Sequence, residues 1–331
     1  SAEIRIGGRM KTKSIQLALI LSLFSSFPVS SYANEYITIG SGSVDGVNYP
    51  VAMALCKYIN RDRAQHNVRC SVESSNGSSE NLSNLKEGSV EFAIVQSDLA
   101  LHRYNGDGLY SKEGNFKELR AVISLHTDAI TLVVKKDANI NTFTDLVGKK
   151  VSIGTPESNS RIEMDMLLEI SGLDSSVFSE AFEYSELESE EAFCNEKISA
   201  FIMVTGHPSR QVEEVFKYCN AKLISLDSRL IDNITSTHPE YSKVSISKET
   251  YPGQSNDFVT LGLTEILLAK SDVSSEIVFS AVSSLFNNIE ELKNQHPSLI
   301  SLSKEKMLIE GILIPLHAGS KLYIDEIKNK K

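Results

Sequence analysis

Small hydroxyl, amide and glycine residues, rather than histidines or cysteines, occupy the positions from which this chain could act on a ligand. The stretch Ile37-Thr38-Ile39-Gly40-Ser41-Gly42-Ser43-Val44-Asp45-Gly46-Val47-Asn48-Tyr49-Pro50 passes from a β-branched run, through alternating glycine and serine, to a proline that suits a first helical turn. A strand, loop and helix in that order present free backbone N–H groups beside the positive end of the helix, where an anion or another acceptor-rich ligand is favoured. Glycines at 40, 42 and 46 lack the Gly-x-Gly-x-x-Gly spacing, and no P-loop lysine accompanies them, so a nucleotide fingerprint is missing. Gly-x-Ser-x-Gly is missing too, which removes the nucleophile elbow of a serine hydrolase. His126 and His207 sit in predicted loops, where a lone histidine more often makes a hydrogen bond than acts as a base. Neither an enzyme nor a cofactor is expected.

The same grammar recurs along the chain. A strand over 67–73 leads into Ser74-Ser75-Asn76-Gly77-Ser78-Ser79, where Ser78 or Ser79 is expected to cap a helix carrying Leu82 and Leu85 that stops at Gly88. A strand over 90–95 ends in Gln96-Ser97-Asp98. Two strands, 119–125 and 130–134, flank His126-Thr127-Asp128, the expected first crossing between lobes. A strand over 151–154 then runs through Thr155-Pro156-Glu157-Ser158-Asn159-Ser160 into a helix starting at Arg161, and one over 198–204 runs through Thr205-Gly206-His207-Pro208-Ser209 into a helix over 210–218. In an open α/β sheet such strand ends share one edge, beyond which ligands bind.

For any single loop serine, or for Asn76, capping explains the residue as well as ligand binding does. Tyr49 reads equally as packing or as stacking on a ligand. Arg161 places a cation against the helix dipole, which makes sense if an anion sits between them. Glu186, Glu188, Glu190 and Glu191 read as a solvated helix start, with a calcium site the minor alternative.

Length and composition agree with a binding module. The chain has 331 residues, 41% hydrophobic and 23% charged, enough for two lobes of ordinary domain size. Residues 10–33 have the basic start, apolar middle and Ser31-Tyr32-Ala33 ending of a signal peptide, predicting cleavage after Ala33 and export to the periplasm; retention as an anchor is the alternative. Removing residues 1–33 takes away four basic residues and one acid, and the formal charge moves from −10 to −13. So acidic a chain, with no basic stripe, excludes nucleic acid as the expected partner. Four cysteines in an exported chain invite disulfides; Cys56–Cys70 and Cys194–Cys219 are the sequence-local pairings among three possible connectivities. No Cys-x-x-Cys or His-x-x-x-His spacing suggests a metal.

Together these stretches resemble the TAXI family, the TRAP-associated extracytoplasmic immunogenic proteins that serve as substrate-binding subunits of tripartite transporters. The resemblance lies in Ile39 to Pro50, Val72 to Ser78 with Glu80-Asn81-Leu82, Val95 to Asp98 with Tyr104-Asn105-Gly106, Gly148 to Arg161, Tyr251-Pro252-Gly253-Gln254, and Ile314-Pro315-Leu316-His317-Ala318-Gly319. It implies an α/β, two-lobe periplasmic-binding-protein fold of type II character, with interwoven lobes and a ligand cleft between them. Lobe one is expected over 36–125 and 260–331, and lobe two over 126–259. It also implies one disulfide per lobe, delivery of a small carboxylate or amino acid to TRAP permease subunits in the membrane, and no ATP binding by this chain; separately, a monomer is expected. The expected ligand set is Ser43, Tyr49, Asn76, Gln96, Ser97, Asp98, Thr155, Ser158, Asn159, Ser160 and Arg161. A sensor or surface antigen without transport coupling is the alternative. Family members usually carry Pro-Gly-Ser-Gly-Thr-Arg where this chain has Pro156-Glu157-Ser158-Asn159-Ser160-Arg161, and the added acid favours an amine-bearing ligand over a plain dicarboxylate.

Overall fold

A computed structural model describes residues 35–329. The expected signal segment, 10–33, lies outside the described residues.

Two βαβ regions share one sheet. Strand β1 (Glu35–Gly40) buries Ile37 and Ile39, and helix α1 (Asn48–Arg61) packs Val51, Leu55, Tyr58 and Ile59 onto it at helical spacing. Strand β2 (Val68–Glu73) pairs parallel with β1 on one side, and β3 (Phe92–Gln96), buried throughout, pairs parallel on the other. Helix α2 (Ser78–Glu87) joins β2 to β3, and α3 (Ser97–Asn105) follows β3.

The chain then enters β4, which runs unbroken from Leu119 to Lys135, so the two strands expected on either side of His126-Thr127-Asp128 are one. Its partner β10 (Phe258–Lys270) explains the continuity: antiparallel pairing carries through the supposed junction, with Thr127 opposite Thr264 and Asp128 opposite Leu263. Polar residues that read as a loop are here held by ladder bonds.

Beyond the junction lie β5 (Lys150–Ser152), α4 (Asn159–Ile170), β6 (Glu180–Phe182), α5 (Glu186–Cys194), β7 (Ala200–Thr205), α6 (Arg210–Tyr218), β8 (Ala221–Ile224), α7 (Ser228–Thr237) and β9 (Tyr241–Ile246). The strand order is β2-β1-β3-β10-β4-β7-β5-β6, with β8 also pairing with β4 and β9 with β10. Strand β10 returns the chain to the first half, where α8 (Ser275–Asn287) and α9 (Ala318–Asn329) pack together.

Apolar burial separates the two halves. Ile37, Leu55, Phe92, Val122 and Leu267 belong to clusters of the first half, while Ile130, Val151, Leu167, Phe193, Phe201 and Val215 belong to clusters of the second. Residues 126–129 of β4 and 262–265 of β10 lie in none of the four apolar clusters. At the crossing the halves are joined by two hydrogen-bonded strands, while Ile162 of α4 packs against an apolar cluster of the first half. A disulfide fastens each half: Cys56–Cys70 ties α1 to β2, and Cys194–Cys219 ties the end of α5 to the end of α6. With sequence separations of 14 and 25, each bridge restricts the unfolded chain by about 3 kcal/mol in the loop-entropy model.

The last resemblance motif has a packing role. Ala121 N–H donates to Pro315 O at 3.0 Å and His317 N–H donates to Ala121 O at 2.7 Å, laying the tail along β4. At Gly319 a Cβ would fall 2.5 Å from Ser275 O, so only glycine lets α9 approach α8 this closely.

Candidate functional site: an acidic interlobe cleft

The glycine loop is built by contacts between successive strand ends. Asn81 on α2 is buried and donates to Ser41 O at 2.7 Å and Ile94 O at 2.8 Å, fastening the first loop to β3. A Cβ at Gly40 would come 2.8 Å from Asn81 Oδ1. That glycine makes room for Asn81, not for a ligand. Ser75 N–H donates to Gly42 O at 3.1 Å, stitching the second loop to the first.

Facing these loops are residues 154–160 ahead of α4. Gly154 has φ +86°, where a Cβ would meet Arg161 N at 2.8 Å, and Ser158 caps α4 by accepting Arg161 N–H at 3.2 Å. The two walls touch: Ser79 Oγ donates to Glu157 O and Asn159 Nδ2 to Ser78 Oγ, each at 3.4 Å. Arg210 at the start of α6 also reaches across to Asp45, 3.3 Å away.

Between the walls is a cavity of about 900 Å³. Its floor includes Asp128 of β4 and Ile202, Val204 and Thr205 of β7. Of the expected ligand set, Ser43, Asn76, Thr155, Ser158, Asn159 and Ser160 line it, drawn from both halves.

Five expected residues do not line it. Arg161 turns outward, its Nε donating to both Asp165 carboxylate oxygens (3.0 and 2.9 Å) and its Nη1 to Glu183 at 2.6 Å. Acids of its own half offset its unfavourable place on the helix dipole, with no anion in between. Tyr49 lies half-buried on α1. Gln96, Ser97 and Asp98 are buried at 3% exposure or less, beneath the walls rather than on them. There Asp98 meets Glu163 and Glu240, and burial first, then Glu240, push its carboxyl up to about 6. Ser78 does not cap α2; its hydroxyl instead accepts Gln96 N–H at 3.1 Å.

The histidines are likewise structural. His207 Nε2 pairs with Thr131 Oγ1 at 2.8 Å and its Nδ1 with Tyr251 OH, and burial pulls its pKa down to about 4. Tyr251, from another resemblance motif, also accepts Ser209 N–H at 2.7 Å and so holds the start of α6. His126 is buried within β4.

What the sequence reading did not single out is the acidity of the cavity. Asp45, Glu80, Glu113, Asp128, Glu157 and Glu186 line it, while no lysine, arginine or histidine does. Three of these acids have partners: Asp45 has Arg210, Glu80 accepts from Asn76 N (3.0 Å) and Nδ2 (2.7 Å), and Glu113 lies 3.5 Å from Arg103. Asp128 is 4% exposed, and its Oδ1 has no hydrogen-bond donor; His126 Nε2 is 3.0 Å away but misaligned. Glu186 opens α5, where the capping box is made by Ser185 and Glu188. Burial, and secondly the nearby Asp128 charge, push its carboxyl up to about 7. The acidic run is thus a helix start, as expected, but its first residue faces the cavity instead of bulk solvent. Among the described residues no cluster of three or more His, Cys, Asp or Glu is arranged to hold a metal ion.

A family model described as NMT1-like matches residues 39–327. The chain belongs to the NMT1-like family. Among solved structures it is similar to the periplasmic binding protein BugD, with a TM-score of 0.54, 11% identity, and coverage of 90% of this chain and 95% of that one. It also matches the periplasmic aliphatic sulphonate binding protein SsuA from Escherichia coli, with a TM-score of 0.49, 14% identity, and coverage of 88% and 84%. The similarity to BugD carries the fold: this NMT1-like chain has the two-lobe architecture of a periplasmic binding protein.

Proposed function

We propose that this chain is a periplasmic solute-binding protein of the TAXI type, which captures a small solute between its lobes and hands it to the membrane subunits of a TRAP transporter. The observation that carries this reading is the cavity of about 900 Å³ whose walls come from strand-to-helix loops of both halves, between which β4 and β10 are the continuous strands. Two strands crossing without an apolar core form a hinge, and closing the cleft removes water from polar groups that then bind more strongly. Lobe one comprises 36–125 and 260–331, and lobe two 126–259. Export follows cleavage after Ala33.

Within the carboxylate and amino-acid class implied by the resemblance, an amino acid fits the site better than a dicarboxylate. The first turn of α4 offers amides to a carboxylate, and Asp128 and Glu186 offer acceptors to an ammonium group.

Ligand-freed mature protein screened by thermal shift against amino acids, amines, 2-oxo acids and dicarboxylates should show concentration-dependent stabilisation by a narrow set. A solute at a hundred times its Kd adds about 2.7 kcal/mol. No stabilisation by any class would sink the solute-binding reading.

A further inference from the structure

We propose that the cleft selects a solute of net positive charge, a diamine or basic amino acid, whose ammonium group sits between Asp128 on the floor and Glu186 on the wall. This rests on the solute-binding reading and narrows it.

Two independent observations point to a cation. The cavity lining is one-sided, with six carboxylates and no basic side chain. The deepest of those carboxylates, Asp128, is buried at 4% exposure with an oxygen that no donor satisfies. A buried acceptor left unmet is costly, and two carboxylates facing one space repel. Glu186, beside Asp128, also has no ion pair or hydrogen bond to its carboxylate among the described residues. Behind Asp128 lies Glu265 of β10, fully buried and close to both Asp128 and Asn48. Among the described residues, His126 Nε2 lies 3.0 Å from Asp128 Oδ1 without being aligned to donate, and His207 and His296 are near enough to feel the Asp128 charge.

An ammonium group carries three donors and one charge, and so meets both needs where water or a neutral solute meets only one. An anionic solute would enter against the field of six carboxylates, which low-dielectric walls concentrate. Glu80 and Glu113 already hold partners. Asp128 and Glu186, which have spare acceptor capacity, define the seat.

The test is a charge series on one five-carbon scaffold, glutarate, glutamate, ornithine and cadaverine, extended to shorter and longer homologues. Affinities for ligand-freed protein are measured by calorimetry. Ornithine or cadaverine, or their homologues, should bind at least about tenfold more tightly than the matched acids. Glu186→Gln and Asp128→Asn should each weaken the cation about tenfold or more without lowering the melting temperature of the empty protein, because each relieves repulsion there. Acids binding as tightly as amines would overturn the cation proposal while leaving a solute-binding protein. No binding across the series and the broader screen would overturn both. Variants that melt lower in proportion to their lost affinity would assign the two carboxylates to the fold instead of the ligand.

Discussion

At Glu186, burial and the neighbouring Asp128 charge act in the same direction, lifting a carboxyl from 4.5 to about 7. Asp98 is lifted from 3.8 to about 6, first by burial, and Glu163 and Glu265 stand well above their usual values for the same reason. A carboxyl whose folded pKa is raised holds its proton more tightly in the native state, so stability is lost as pH rises from the unfolded pKa through the folded one. His207 acts oppositely: pulled from 6.5 to about 4, it adds stability as pH climbs through that interval and nothing further above it. The acid and histidine effects therefore compete below pH 6.5, and above it the acids alone remain. The melting temperature of the empty protein should fall between about pH 6.5 and 8, and Glu186→Gln should flatten that decline. A melting temperature that rises across this window would contradict the buried-acid picture.

At the scale of elements, the crossing of β4 and β10 depends on close packing that only glycine permits. A Cβ at Gly262 would fall 2.7 Å from Thr127 Cγ2 and would also strike Val244 Cγ2 of β9. Gly262→Ala should cost about 1–3 kcal/mol of stability by overpacking, read as a lower denaturant midpoint. The walls are joined across the cleft by weaker contacts, and Arg210 with Asp45, 66% and 45% exposed, is the clearest of them. An exposed pair of this kind contributes at most about 1 kcal/mol, so Arg210→Ala should weaken ligand binding no more than about fivefold, mainly through faster release, with unchanged melting of the empty protein. Loss of binding altogether would mean that Arg210 touches the solute.

Across the whole molecule, local rules and long-range ones are legible to different degrees. The chain itself declared its strand-to-helix loops, because glycine, serine and proline act on their own backbone and on the adjacent turn. It thereby marked Ser43, Asn76, Thr155, Ser158, Asn159 and Ser160, which come from both halves and meet at one cavity. The cysteine spacing also suggested bridges that the fold contains, since short loops favour neighbours. Side-chain direction was beyond that reading. Gln96, Ser97 and Asp98 stand at a strand end as expected, yet the packing of α2 and α3 buries them below the walls, and Arg161 finds Asp165 and Glu183 where an anion was expected. Asp128 looked like part of a connector because its neighbours are polar, and only its pairing with Leu263, set by a strand more than a hundred residues away, puts it on the cleft floor. Glu186 looked solvated because it opens an acidic run; only the approach of β4 puts a second carboxylate beside it. Sequence alone determined where backbone amides would be free, a property of a few adjacent residues. The charge of the space they enclose was decided by tertiary structure, because that charge is the sum of groups from Asp45 to Glu186, far apart in the chain and brought together from both halves.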